Sequence, residues 1–210
     1  MNKTIIQIGS HVGNTNNDPI FNIVDNTTKL ILVEPVPFLF EQLKTNYLTK
    51  FADSQNIVFI NKAVSNFIGE IELTIPSEKN DFSKLPDWAS QLSSVDPNHA
   101  LGHNIANLLV EKIVVKTTTI NEIVKEHHIT HIDLLHTDTE GHDYTILMDY
   151  DFNIKPTKVM FENAHMDGLF SRGAKYTELT NKLLSMGYKK TDEDGFDTTF
   201  QLDIWHPYAI

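Results

Sequence analysis

Cysteine is absent from the 210 residues, and arginine occurs once, as Arg172. Without cysteine there can be no disulfide, no thiolate nucleophile and no cysteine-ligated zinc or iron–sulfur centre. The composition fits a reducing compartment. Surfaces that read phosphates are normally built from bidentate arginine forks, and a single arginine does not build one. Positive charge is scarce altogether, since 17 Lys+Arg stand against 28 Asp+Glu for a formal net charge of −11. That excess argues against tight non-specific binding to nucleic acid or to an anionic membrane. No apolar run approaches the ~18 residues of a transmembrane helix. The apolar-rich stretch from Ile5 to Ile8, ended by Gly9, is too short for a secretory signal. The expectation is a cytoplasmic protein.

What is present is ordinary for a globular chain: 40% hydrophobic and 21% charged residues. The length suits one domain over residues 1–210. Short β-branched runs at Thr4–Ile8, Lys29–Val33 and Ile57–Ile60 read as strands, the first two buried on both faces of a parallel sheet. Residues 17–27 have room for a short helix. Pro37–Leu48 has helical periodicity, with Phe40, Leu43, Tyr47 and Leu48 on one side and Pro37 in the first turn. Gly69–Ile75 alternates as a half-exposed strand. From Pro76 to about Asn107 the periodicity fades into a long loop, of the kind that serves as a lid or binding segment. Glu111–Lys116 is strand-like, and Thr119 caps a helix to Glu126. Ile132–His136 and Lys158–Phe161 are strands, with a helix from Tyr144 to Met148 between them. A helix over 174–186 stops at Gly187, and Tyr188–Lys190 with Thr198–Ile204 closes the fold as an antiparallel pair.

This alternation predicts an α/β architecture with a mostly parallel sheet and right-handed crossovers. In such sheets ligands bind beyond the carboxyl ends of the strands. Five strand ends here are polar: Gly9-Ser10-His11, Glu34, Asn61-Lys62, Asp138 to Glu140, and Glu162-Asn163. Gly9 and Gly13 let a backbone pass close to a ligand. The turn is neither G-x-G-x-x-G nor a phosphate-cradling loop, which weakens a dinucleotide or nucleoside triphosphate reading. Glu34, at the second strand end, is placed to accept both ribose hydroxyls. A nucleoside cofactor without a pyrophosphate fits this pair, and S-adenosylmethionine is the common one; a bare turn with a solvated glutamate is the alternative for either feature alone.

The sequence resembles the FkbM-type S-adenosylmethionine-dependent methyltransferases. The likeness rests on Ile5–Asn14, on Leu32-Val33-Glu34-Pro35 with Asn61–Ser65, and most specifically on Thr118–Ile123 followed by Ile132–Asp143, which carries Asp138-Thr139-Glu140-Gly141. It covers roughly residues 4–165. Two positions depart from the pattern: Gln7 replaces an acidic residue, and His136 replaces a lysine.

The resemblance implies a class I methyltransferase (Rossmann-like) fold, with a seven-strand, mostly parallel sheet, helices on both faces and an antiparallel last strand. It implies that Gln7, Gly9, Ser10, His11, Gly13 and Asn14 border the methionine part of the cofactor. Glu34 and Pro35 would hold the ribose, Ala63 would lie near the adenine, and Thr137 and Asp138 would reach the sulfonium. Glu162 and His165 would approach from the other side. Methyl transfer to an alcohol needs alignment and a general base, and Asp138 or His165 is placed for that role.

Oxygen and nitrogen donors at Asp138, Glu140, His142, Glu162 and His165 admit a divalent metal, but they spread over two strand ends without a tight Asp-Asp pair. The favoured reading has no metal, with Glu140 capping the helix near Asp143 and Glu162 orienting its neighbours. His127, His128 and His131 read as solvated residues at a helix end, and His99 and His103 as surface residues of the long loop. Trp88, Gln91, Ser93 and Ser94 in that loop offer the aromatic face and polar donors that grip sugars. Glu140, His142 and Arg172 complete the candidate acceptor set. The expected activity is base-assisted O-methylation of a sugar or glycan. A methyltransferase acting on RNA or a small molecule is the enzyme alternative, and an inactive cofactor-binding module the non-enzyme one.

Overall fold

A computed structural model describes residues 3–51 and 55–203. In chain order its elements are β1 (Thr4–Ile8), β2 (Lys29–Val33), α1 (Pro37–Lys50), β3 (Ile57–Ile60), β4 (Ala63–Val64) and β5 (Glu70–Pro76). They continue with α2 (His99–Gly102), β6 (Val110–Thr118), α3 (Ile120–Glu126), β7 (Leu134–Thr137) and α4 (Asp143–Asp149). The last four are β8 (Lys158–Glu162), α5 (Gly173–Ser185), β9 (Tyr188–Glu193) and β10 (Asp197–Leu202).

Seven strands form one sheet in the order β3-β2-β1-β7-β8-β10-β9, and β10 runs antiparallel to both its neighbours. Topology reverses at β1, so the crevice beyond the carboxyl ends of β1, β2 and β7 is the place for a ligand. Register fixes what faces it. Ile8 pairs with Val33 and with Thr137, and Thr137 pairs with Phe161. The next residue of each strand therefore falls in one row: Glu34, Gly9, Asp138 and Glu162.

Strand alternation divides the core between the two faces. Ile6, Ile8, Ile31, Val33 and Leu135 pack on one face with Ile123 of α3, Leu147 of α4 and Leu183 of α5. Ile5, Leu30 and Leu32 pack on the other with Leu43 and Tyr47 of α1. Leu48, expected among the apolar residues of α1, is 44% exposed. Residues 17–27 form turns rather than a helix. Asp18 Oδ1 accepts the amides of Ile20 (2.8 Å) and Phe21 (2.6 Å), a side-chain turn that competes with helix. Ile20 and Val24 are nonetheless buried beneath α1's face.

β5 and β6 lie outside the main sheet. They pair antiparallel, and β6 also takes β4 in parallel, giving a three-stranded sheet that packs Leu73, Ile75 and Val115 against Val36 and Leu39. The long loop after β5 contains short 3-10 turns at Phe82–Lys84 and Ala89–Gln91 before α2. Thr74 and Ser94 exchange both backbone hydrogen bonds (2.9 and 3.0 Å), which folds this loop back over the strand ends. The expected strand end at Ile204 lies outside the described residues.

Thr119 caps α3 as the sequence predicts, its hydroxyl accepting the Glu122 amide at 3.1 Å. Ile120 and Ile123 of this helix pack beneath β7. Thr119→Ala is expected to cost about 1 kcal/mol. Urea unfolding should show a lower midpoint with an unchanged slope.

Candidate active site

A cleft opens at the strand-end row, lined by Gln7, Gly9, Ser10, His11, Glu34, Pro35, Ala63, His136, Asp138, Glu140 and His142 among others. Gln91, Ser93, Ser94 and Val95 of the long loop line it from the opposite side.

Gly9 is the pivot of the cleft. Its φ is +78°, and a Cβ there would stand 1.7 Å from the Asp138 carbonyl oxygen. The Gly9 and Ser10 amides both donate to Val33 O at 3.0 Å, while the Asp138 amide donates to Ile8 O at 3.0 Å. Three strand ends are thus laced together through a residue with no side chain.

Glu34 is buried, and its two carboxylate oxygens accept the amides of His11 (2.9 Å) and Val36 (2.8 Å). A carboxylate has about four acceptor sites, so one remains on each oxygen. Burial pushes the Glu34 carboxyl up to about 7, against the opposing pull of those two amides. Both ring nitrogens of His11 are buried without a hydrogen-bond partner among the described residues, and burial brings its imidazole down to about 4. Burial does the same to His136.

Asp138 and Glu140 follow β7 in a turn held by Asp143, whose Oδ2 accepts the Thr139 amide (3.2 Å) and hydroxyl (2.7 Å). Burial, then the neighbouring Glu140 and Asp143, hold the Asp138 carboxyl well above the usual carboxylate range. Burial and Asp143 push Glu140 up to about 8. Glu140 does not cap α4. It adopts φ +52°, and its carboxylate turns to His99 Nε2 at 2.6 Å.

Glu162 and His165 stand behind Glu140 and do not line the cleft. Glu162 accepts the Gly141 amide at 3.2 Å. His165 Nε2 lies 3.4 Å from Glu162 and 3.7 Å from Glu140. Its Nδ1 accepts the Phe170 amide at 3.2 Å, so the neutral ring carries its proton on Nε2. Burial, with His99 and His103 beside it, lowers this imidazole to about 4.

Several sequence-predicted positions sit elsewhere. Gly13 faces α1, where a Cβ would meet Tyr47 at 2.5 Å and Leu43 at 2.6 Å. Asn14 is exposed and bonded to Asn46. Thr137 is buried in the sheet and does not line the cleft. Trp88 is 43% exposed and packs on His103 instead. Arg172 pairs with Glu193 at 3.1 Å, away from the cleft. His99 is 5% exposed and so is not a surface residue, and it joins the half-buried His103 and the buried His165 in a cluster. Asn17, Asp18 and Lys62 also line the cleft. In the sequence Asp18 falls only within the possible helix over 17–27, and the four-residue spacing of His99 and His103 is the visible trace of the cluster.

Residues 7–190 match the Methyltransferase FkbM domain. Among solved structures, the chain is similar to a methyltransferase FkbM from Methylobacillus flagellatus (13% identity, TM-score 0.55), covering 95% of this chain and 43% of that one. It is also similar to the METTL16 methyltransferase domain (12%, TM-score 0.50; 96% and 60%). A third likeness is to a putative caffeoyl-CoA O-methyltransferase from Staphylococcus aureus (12%, TM-score 0.49; 95% and 76%). The chain therefore spans less than half the length of the FkbM relative. Comparison with curated proteins gives no match. The fold is that of the class I methyltransferases.

Glu34 makes the stability of the cofactor-free fold depend on pH. Its folded pKa of about 7 lies above the ordinary glutamate value of 4.5, so its stabilising contribution is full below 4.5 and is lost as pH rises through 7. Between pH 4.5 and 8, unfolding free energies of Glu34→Gln and the parent should shift by about 3 kcal/mol in the variant's favour. Paired urea titrations across that window measure the shift, and the difference between pH values cancels any constant cost of the substitution.

Proposed function

The chain belongs to the FkbM methyltransferase family, and we propose that it transfers the methyl group of S-adenosylmethionine to a hydroxyl of a sugar or glycan. The observation that carries this reading is the strand-end row, in which Glu34 and Asp138 flank Gly9 in one cleft roofed by polar loop residues. The lining fits a cationic nucleoside. Asp18, Glu34, Asp138 and Glu140 contribute carboxyls, against Lys62 as the only lysine or arginine among the lining residues. Bound S-adenosylmethionine supplies an electrophilic methyl carried on a sulfonium.

Glu34 takes the ribose hydroxyls on its two remaining acceptor positions, and Gly9 leaves the backbone open to close approach. Asp138 is the general base. A positive charge nearby favours its ionised form, while burial keeps its proton affinity high enough to accept the hydroxyl proton. His165 is a positioning residue, because Phe170 occupies its Nδ1 lone pair and its Nε2 proton faces Glu162 and Glu140. Gln91, Ser93 and His142 grip the acceptor. The net charge of −11 and the single arginine favour a sugar over RNA.

Calorimetric titration with S-adenosylmethionine and S-adenosylhomocysteine tests the cofactor half of this reading. Glu34→Ala should weaken both at least about tenfold, the loss of roughly two hydrogen bonds to a charged group. Absence of binding to the parent protein, or binding indifferent to Glu34→Ala, would overturn it.

For the chemical half, methyl transfer to a panel of glycosides should fall about 10²–10⁴-fold in kcat for Asp138→Asn. S-adenosylhomocysteine affinity should stay within a few-fold. Turnover on RNA with none on any glycoside would sink the sugar assignment.

A further inference from the structure

We propose that His99, His103 and His165, with the carboxylate of Glu140, form a binding site for one divalent transition-metal ion of the zinc class. His99 opens α2 and His103 follows it directly, four positions apart on one helical turn. This is the spacing at which two imidazoles address one ion. His165 arrives from the loop after β8. One ligand atom from each of the three histidines lies within 4.8 Å of the other two, and Glu140, Glu162 and His165 meet the same limit. Donors at zinc bond lengths of ~2.0–2.1 Å stand roughly 3.3 Å apart in a tetrahedron. Among the three histidines an inward movement of at most about 1.5 Å per pair closes that gap, and Glu140 joins them through His99 and His165.

Packing alone does not account for this cluster. Nε2 of His103 is buried with no hydrogen-bond partner among the described residues, a costly state for a ring nitrogen. Glu140 holds φ +52°, a left-handed conformation that a non-glycine residue keeps only when its surroundings impose it. The next residue, Gly141, passes close to the His165 backbone: a Cβ there would lie 2.8 Å from the His165 carbonyl. The strained turn aims Glu140 Oε2 at His99 Nε2 (2.6 Å) and toward His165 Nε2 (3.7 Å). Three neutral imidazoles and one carboxylate suit zinc or cobalt, whereas magnesium and calcium take mostly oxygen donors.

His165 links ion binding to the neighbouring turn. Its Nε2 proton must move to Nδ1 when Nε2 takes a metal, and Nδ1 then opposes the Phe170 amide it now accepts. Uptake should therefore re-seat the turn from Asp167 to Phe170, where nothing would contact a Cβ on Gly168. Glu140 lines the cleft as well, so the ion would sit at the acceptor wall. A role in gripping the acceptor oxygen rests on the O-methyl reading; ion binding itself does not.

The full chain, stripped with a chelator and dialysed against Zn²⁺, Co²⁺ or Mg²⁺, tests the site by elemental analysis. One Zn²⁺ or Co²⁺ per chain and no retained Mg²⁺ is expected. His99→Ala and His103→Ala should each weaken binding at least about 30-fold, while His127→Ala leaves it unchanged. Trp88, whose ring centroid is 5.3 Å from that of His103, should lose emission on Co²⁺ binding, a signal that Trp88→Phe removes. No ion retained by the parent, or retention that survives both histidine substitutions, overturns the proposal. Glycoside methylation without any retained ion would leave the O-methyl reading standing and the metal site refuted. A bound ion without glycoside turnover would do the reverse.

Discussion

The approach of Gly9 to the Asp138 carbonyl is the contact on which the cleft depends. A side chain at position 9 would collide with backbone at 1.7 Å, and backbone cannot swing aside as a flexible side chain does. With glycine there, β1 continues into its loop between β2 and β7: the Gly9 and Ser10 amides close the end of β2, and the Ile8 carbonyl accepts the Asp138 amide at the end of β7. The register then has no freedom. A one-residue slip of β2 or β7 against β1 would turn Glu34 or Asp138 to the other face of the sheet. The placement of both carboxyls thus follows from backbone geometry, before any side-chain interaction is counted.

Charge is the second constraint. Carboxyls of Asp138, Glu140, Asp143 and Glu162 are gathered behind the end of β7, and burial raises each of them. Facing histidines are driven the opposite way by the same desolvation. Such a cluster is costly in a fold optimised for stability alone, and the cost is offset when a cation enters. Gln7 shows how local the arrangement is. It lacks the charge usual at its position, yet its amide donates to Asp18 Oδ2 at 2.7 Å, so a carboxyl from the following loop stands beside it. The negative character of this wall is kept by a residue eleven positions later.

Most of the sheet was legible because buried strands and their glycine or acidic ends leave short-range signals. β1, β2, the capped α3 and the Gly187 stop of α5 are of this kind. Residues 17–27 failed for a reason equally local: the Asp18 side chain competes for the amides a helix would need, and spacing alone does not register that competition. Of the site, the strand-end residues were readable because strand order dictates them. Gly13 packs against α1, and a glycine beside a ligand loop and one beneath a tyrosine ring look the same in sequence. The histidine cluster was hidden because its members lie 62 positions apart, from His103 to His165, and meet only through the loop's return.

That return is set by Ser94. Its backbone pairs with Thr74 at the small sheet, and its hydroxyl donates to the Glu140 carbonyl at 2.8 Å. One residue thereby fastens the roof of the cleft to both β5 and the turn after β7. His99, five positions on, adds a second tie to Glu140 through its ring. A loop of this length would otherwise bring many accessible conformations and a large ordering cost. Fastened at Glu140, it presents Gln91 and Ser93 to the cleft with much of that cost already met in folding. The residue that anchors the roof also lines the cleft, so movement of the acceptor loop and the electrostatics at Asp138 are coupled through a single turn of backbone.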